Sequence, residues 1–88
     1  MNESTFQPEI WRCQSMRRAA TDPLDDDFYL GYIRGLRRRF HGEEFGTAAE
    51  HESWMVSAEC DDPYDAAQGR GYLAALEANY DGLAETAG

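Results

Sequence analysis

The chain has 88 residues, 42% of them hydrophobic and 12% aromatic, and a formal net charge of −9. That size sets a single domain with a modest core, and the apolar content excludes a wholly disordered chain. No apolar run reaches the length of a membrane span, and Met1-Asn2-Glu3-Ser4-Thr5 lacks the parts of a signal peptide, so a cytoplasmic protein is expected.

Residues 1–6 read as a flexible tail. Pro8 suits a helical first turn and Glu9 the positive end of the dipole. A first helix over about 8–20 follows, contributing Ile10, Trp11, Cys13 and Met16 to the core, and Thr21-Asp22-Pro23 ends it.

The second helix spans about 24–41 and stops at Gly42. Tyr29, Ile33, Leu36 and Phe40 recur at steps of four, three and four and share one face. Asp25 to Asp27 near its start and Arg37 to Arg39 near its end both suit the helix dipole.

Thr47-Ala48-Ala49-Glu50 is a capping box that opens a third helix over about 47–59, with Trp54 and Met55 on it. Asp62-Pro63 opens a fourth over about 63–81, with Leu73, Leu76, Tyr80 and Leu83 as its stripe and 84–88 frayed.

Asp22-Pro23-Leu24-Asp25 and Asp62-Pro63-Tyr64-Asp65 lead segments that stay in register without a gap, from 22–42 onto 62–82, at an offset of 40. Gly31/Gly71, Tyr32/Tyr72, Leu36/Leu76 and Gly42/Gly82 recur in register, and Gly35/Ala75 and Phe40/Tyr80 are close substitutions. A fixed period of this kind points to a duplicated supersecondary unit. The fold expected is all-α: a small four-helix domain built from two helical hairpins, with an internal repeat of period 40. Gly31, Gly35, Gly71 and Ala75 would let two backbones approach closely.

No motif for chemistry stands out, and an enzyme is not expected. His41, Glu43, Glu44, His51 and Glu52 match no zinc spacing, so neither metal nor cofactor is expected. Cys13 and Cys60 read as reduced, buried small hydrophobes, a disulfide requiring that their helices be neighbours. Trp11 and Trp54 read as core.

Charge is the remaining signal. Residues 1–42 carry seven Arg and six acids, residues 43–88 one Arg and eleven acids, and there is no Lys. Arg34, Arg37, Arg38 and Arg39 form a basic patch that could hold phosphates, although the net charge opposes direct nucleic-acid binding. Glu50, Glu52, Glu59, Asp61, Asp62 and Asp65 form an acidic face able to meet a partner's basic groove, with Tyr64 as an aromatic anchor.

A short, acidic, Arg-rich and Lys-free helical chain resembles the small inhibitors carried by bacteriophages and other mobile elements, of which anti-CRISPR proteins are one class. The resemblance covers the whole chain in size, charge and composition, and rests on no diagnostic motif. It implies a stoichiometric inhibitor that occludes the basic surface of a CRISPR surveillance complex. Two alternatives remain: a nucleic-acid-binding accessory protein using the arginine helix, and a self-associating module, such as a homodimer, in which basic and acidic halves of two copies meet.

Overall fold

The computed structural model describes residues 2–78. Four helices, α1 (Glu3–Ala19), α2 (Pro23–His41), α3 (Ala48–Val56) and α4 (Pro63–Glu77), follow in order, with single 3-10 turns at Gly42–Glu44 and Ser57–Glu59. No strand occurs among the described residues. The all-α expectation therefore holds. Tyr80, Leu83 and the segment 84–88 lie outside the described residues.

α1 starts five residues before the expected position, and residues 3–6 are not a tail. Asn2 is the N-cap, its side chain accepting from the Thr5 amide at 3.1 Å. This start turns Thr5 and Phe6 inward, and Phe6 stacks on Phe40 with ring centroids 4.3 Å apart. Pro8 consequently sits inside the helix, where it cannot donate to the preceding turn. Glu9 lies away from the helix start and instead binds Arg12, three residues on, at 2.9 Å.

α2 follows its sequence signals closely. Asp22 caps it through the Leu24 amide, Pro23 occupies the first turn, and Gly42 ends it at φ 65°, a conformation that favours glycine. Ile33 and Leu36 are buried, and Tyr29 and Phe40 pack against them. The core is completed by Phe6, Ile10 and Cys13 of α1 and Ala75 of α4.

Two expected core contributors of α1 point elsewhere. Trp11 is 63% exposed and Met16 42% exposed. The inward face of α1 is set by Phe6, Ile10 and Cys13, and a residue one step beyond Ile10 is turned about 100° away.

α1 and α2 run antiparallel, as Phe6–Phe40, Arg12–Tyr32 and Arg17–Asp26 contacts along the pair require. α3 and α4 are also antiparallel: His51 and Trp54 meet Tyr72, while Ala58, beyond α3, meets Gly69. The two hairpins join through α2 and α4, which run in the same direction. A methyl group on Gly31 would lie 1.9 Å from the Gln68 carbonyl oxygen, and one on Gly71 would lie 1.9 Å from that of Phe28. A methyl on Gly35 would meet Cβ of Ala75 at 2.5 Å. The expected close approach of backbones is thus present, and these contacts interchange under a shift of 40 residues.

α4 differs from expectation in face and length. Its buried residues are Ala66, Ala67, Gly69, Gly71, Tyr72 and Ala75, whereas Leu73 and Leu76 are only partly buried. The helix ends at Glu77, and Ala78 is extended. Contact between two backbones selects small side chains, so the packed face is not the most hydrophobic one.

Candidate functional site

The four arginines of the basic patch occupy different environments. Arg34 donates to the Gln68 side chain at 3.0 Å and lies 5.9 Å from the Trp54 ring centroid. Arg38 donates to the Gly46 carbonyl, which anchors the loop before α3. Arg39 donates to the carbonyls of Ala75, Leu76 and Ala78 at the end of α4. A cation suits this helix terminus, because unpaired carbonyls concentrate partial negative charge there. Arg37 is exposed. Arg34 and Arg39 therefore tie α2 to the second hairpin, and Arg38 ties it to the loop that leads into that hairpin.

The acidic residues divide by position. Glu50 completes the capping box with Thr47 at the start of α3. Asp62 caps α4, accepting from the amides of Tyr64 at 2.8 Å and Asp65 at 3.2 Å. Glu52 lies on the outer face of α3, and Glu59, Asp61 and Asp65 are exposed around the turn into α4. Glu50 lies in the first turn of α3, with six helical residues, ~9 Å at helical rise, between it and the end of the helix. Glu59, Asp61 and Asp65 cluster at the turn, while Glu50 and Glu52 lie in the first half of α3.

Among the described residues the ion pairs are Arg12–Glu9 and Arg17–Asp26. Neither involves an acid of residues 50–65. Tyr64 is 47% exposed beside these carboxylates. Val56, which carried no sequence signal, is 58% exposed and shares a face of α3 with Glu52, four residues before it. A lone Val at a helix end has no periodic partner to reveal it.

Trp54 is half-buried, its ring 5.3 Å from Tyr72 and 5.6 Å from Phe45, so it braces α3 against α4. His51 shares a hydrogen bond with the buried Tyr72 hydroxyl, whose pKa burial raises. His41 lies edge-on to the stacked Phe6 and Phe40 rings. Among the described residues no group of three or more His, Cys, Asp or Glu is gathered to hold a metal.

The cysteines are free and unlike each other. Cys13 is buried, and burial pushes its thiol up to about 11. Cys60 is exposed, against the expectation of two buried thiols. Its place in the turn between the second hairpin's helices has no packed neighbour layer above it.

Two open grooves lie on the first hairpin, away from both predicted patches. One, of about 510 Å³, is lined by residues that include Met16, Asp25, Phe28 and Tyr29. The other, of about 370 Å³, lies between Gln14, Arg17, Arg18 and Asp26. No buried side-chain nitrogen or oxygen among the described residues lacks a hydrogen-bond partner. No helix of the described residues is long and apolar enough to cross a membrane.

In comparisons with known proteins, no family model, no curated protein and no solved structure matches the chain.

Proposed function

We propose that the chain is a stoichiometric protein inhibitor of a nucleic-acid-handling complex, most specifically of the anti-CRISPR type, acting by occlusion and without chemistry. The observation that carries this reading is the contrast between two charge groups. Glu52, Glu59, Asp61 and Asp65 are exposed and outside the ion pairs of the described residues, whereas Arg34, Arg38 and Arg39 are engaged within the fold.

An unpaired group of carboxylates keeps its long-range field and is attracted to a surface built for phosphates. Val56 and Tyr64 supply apolar contact among those charges. Aromatic anchors of this kind contribute heavily to interface energy when a partner covers them.

The test is affinity capture with the tagged chain from nuclease-treated host lysate, followed by mass spectrometry. Retention of a CRISPR surveillance complex, lost on Asp61→Lys with Asp65→Lys while circular dichroism stays unchanged, is expected. Capture that survives the double reversal would remove this face from the interaction. Recovery of the bait alone would remove the inhibitor reading.

A further inference from the structure

We propose that the groove between the end of α1 and the start of α2 seats an arginine side chain of a protein partner. The site lies on the first hairpin and does not rest on the inhibitor reading.

The groove, of about 510 Å³, is within the range of ~300–1,000 Å³ usual for small-ligand sites. Asp25, Phe28 and Tyr29 stand one helical turn apart on α2, so a carboxylate and two rings share one face. The two rings meet at right angles, with centroids 5.3 Å apart. Met16, 42% exposed, belongs to the α1 wall. Ala19 and Ala20 continue that wall, and their short side chains leave the corner unfilled.

Charge selects a cation as the occupant. Asp25 is exposed, and its carboxylate makes neither an ion pair nor a hydrogen bond among the described residues. The last turn of α1 opens on the same groove, and its terminal carbonyls concentrate partial negative charge there. The opposite partial charge at the first turn of α2 is met by Asp22, which accepts from the Leu24 amide at 2.9 Å. Arg17 and Arg18 line the neighbouring groove instead, and Arg17 is paired with Asp26 at 2.8 Å. No guanidinium stands over Phe28 or Tyr29 among the described residues. One groove of the first hairpin thus holds the chain's own cations, and the other has a carboxylate and rings without one. A net charge of −9 adds a long-range field of the same sign.

Geometry selects arginine over lysine. A planar guanidinium lies on a ring and donates to a carboxylate at once, whereas an ammonium is a compact point charge. The fold already contains this arrangement: Arg12 stands over the Tyr32 ring at 5.7 Å and pairs with Glu9 at 2.9 Å. A free amino acid would bring its own carboxylate beside Asp25, with no basic side chain in the groove to receive it. An arginine within a polypeptide brings none, so the source is a protein.

The test is titration of the isotope-labelled full chain with N-acetyl-argininamide, read from amide chemical shifts. Shifts are expected at Ala19, Ala20, Asp25, Phe28 and Tyr29, with a Kd of roughly 1 to 10 mM, as suits one side chain in an open groove. The uncharged isostere N-acetyl-citrullinamide should bind at least roughly tenfold more weakly. Asp25→Asn should weaken arginine binding roughly tenfold, and Phe28→Leu roughly two- to fivefold, both with unchanged circular dichroism. If Phe28→Leu fails to fold, the exposed Asp25→Asn decides. No shift up to roughly 50 mM overturns the proposal. Equal binding of the citrulline amide, or shifts confined to residues 50–65, also overturns it. N-acetyl-lysinamide binding as tightly overturns the choice of arginine, and free L-arginine binding more tightly than its capped form overturns the protein source.

Discussion

The two hairpins meet their packing requirements with different materials. The first is joined by bulk: Phe6 on Phe40, with Ile10, Cys13, Ile33 and Leu36 filling the space between α1 and α2. The second has a nine-residue α3 with no buried residue, seated through Trp54 and His51 on Tyr72 and through Ala58 against Gly69. Between the hairpins the contact is backbone on backbone, at Gly31, Gly35 and Gly71. Hydrophobic mass collects in one hairpin and surplus negative charge in the other. The charged hairpin is held by shape and by the arginines of α2, leaving its carboxylates outward.

The largest expected effect lies at the seam. In an exposed helix, Gly→Ala stabilises by ~1 kcal/mol. At Gly31 or Gly71 the added methyl would fall 1.9 Å from a carbonyl oxygen of the other helix, which belongs to backbone and cannot swing aside. The helices must separate, opening contacts along their length. Each substitution is therefore expected to destabilise, by ~3 kcal/mol or more, at or beyond the upper end for overpacking, and to reverse the sign that propensity alone predicts. Urea denaturation of both variants checks this. A stabilised Gly31→Ala would show that the two helices are farther apart than described.

Phe6→Ala comes next, at ~3 kcal/mol, the usual cost of removing a buried aromatic ring. The experiment separates two readings of the same residues. A flexible tail over residues 1–6 predicts no change in urea midpoint, whereas the stacked Phe6–Phe40 pair predicts a large one. Because Phe6 belongs to the bulk-packed hairpin, its loss should also make the N-terminal amides of α1 exchange faster.

What was legible in the sequence followed from strong local signals. Asp22-Pro23 and Gly42 delimit α2, and the Thr47–Glu50 capping box begins α3, because each satisfies orphan backbone groups through nearby residues. Legibility failed where two signals competed or where packing carried the decision. Pro8 resembles a helix start, yet Asn2 provides a cap and allows Phe6 to be buried. The packed face of α4 escaped hydrophobic periodicity because its members are mostly Ala and Gly, chosen for absence of bulk. At the candidate site, the capping roles of Glu50 and Asp62 were readable, since their partners are three residues away or fewer. The engagement of Arg39 was not, because the carbonyls it binds lie 36 to 39 residues onward.

The cysteines sharpen the comparison with the smallest effect, one absent at neutral pH. Cys13 belongs to the bulk-packed hairpin and is buried; Cys60 lies in the second and is exposed. A thiol reagent should modify Cys60 rapidly in the native chain and Cys13 only after unfolding. Burial raises the Cys13 pKa from its ordinary 9.0 to about 11, so the fold favours the protonated thiol. The unfolded chain ionises first as pH rises and releases its proton more readily than the native state does. The stabilisation is therefore fully present below pH 9.0 and is lost progressively toward pH 11. Tyr72 is shifted in the same direction by burial, which adds to the alkaline loss. Urea midpoints measured from pH 8 to 11 should fall for the wild type. The fall should be shallower in Cys13→Ala, whose neutral-pH stability is itself lower because a small cavity replaces the thiol. An equal slope in the two would mean that Cys13 ionises as freely in the fold as outside it. The first hairpin would then be open to solvent at its centre.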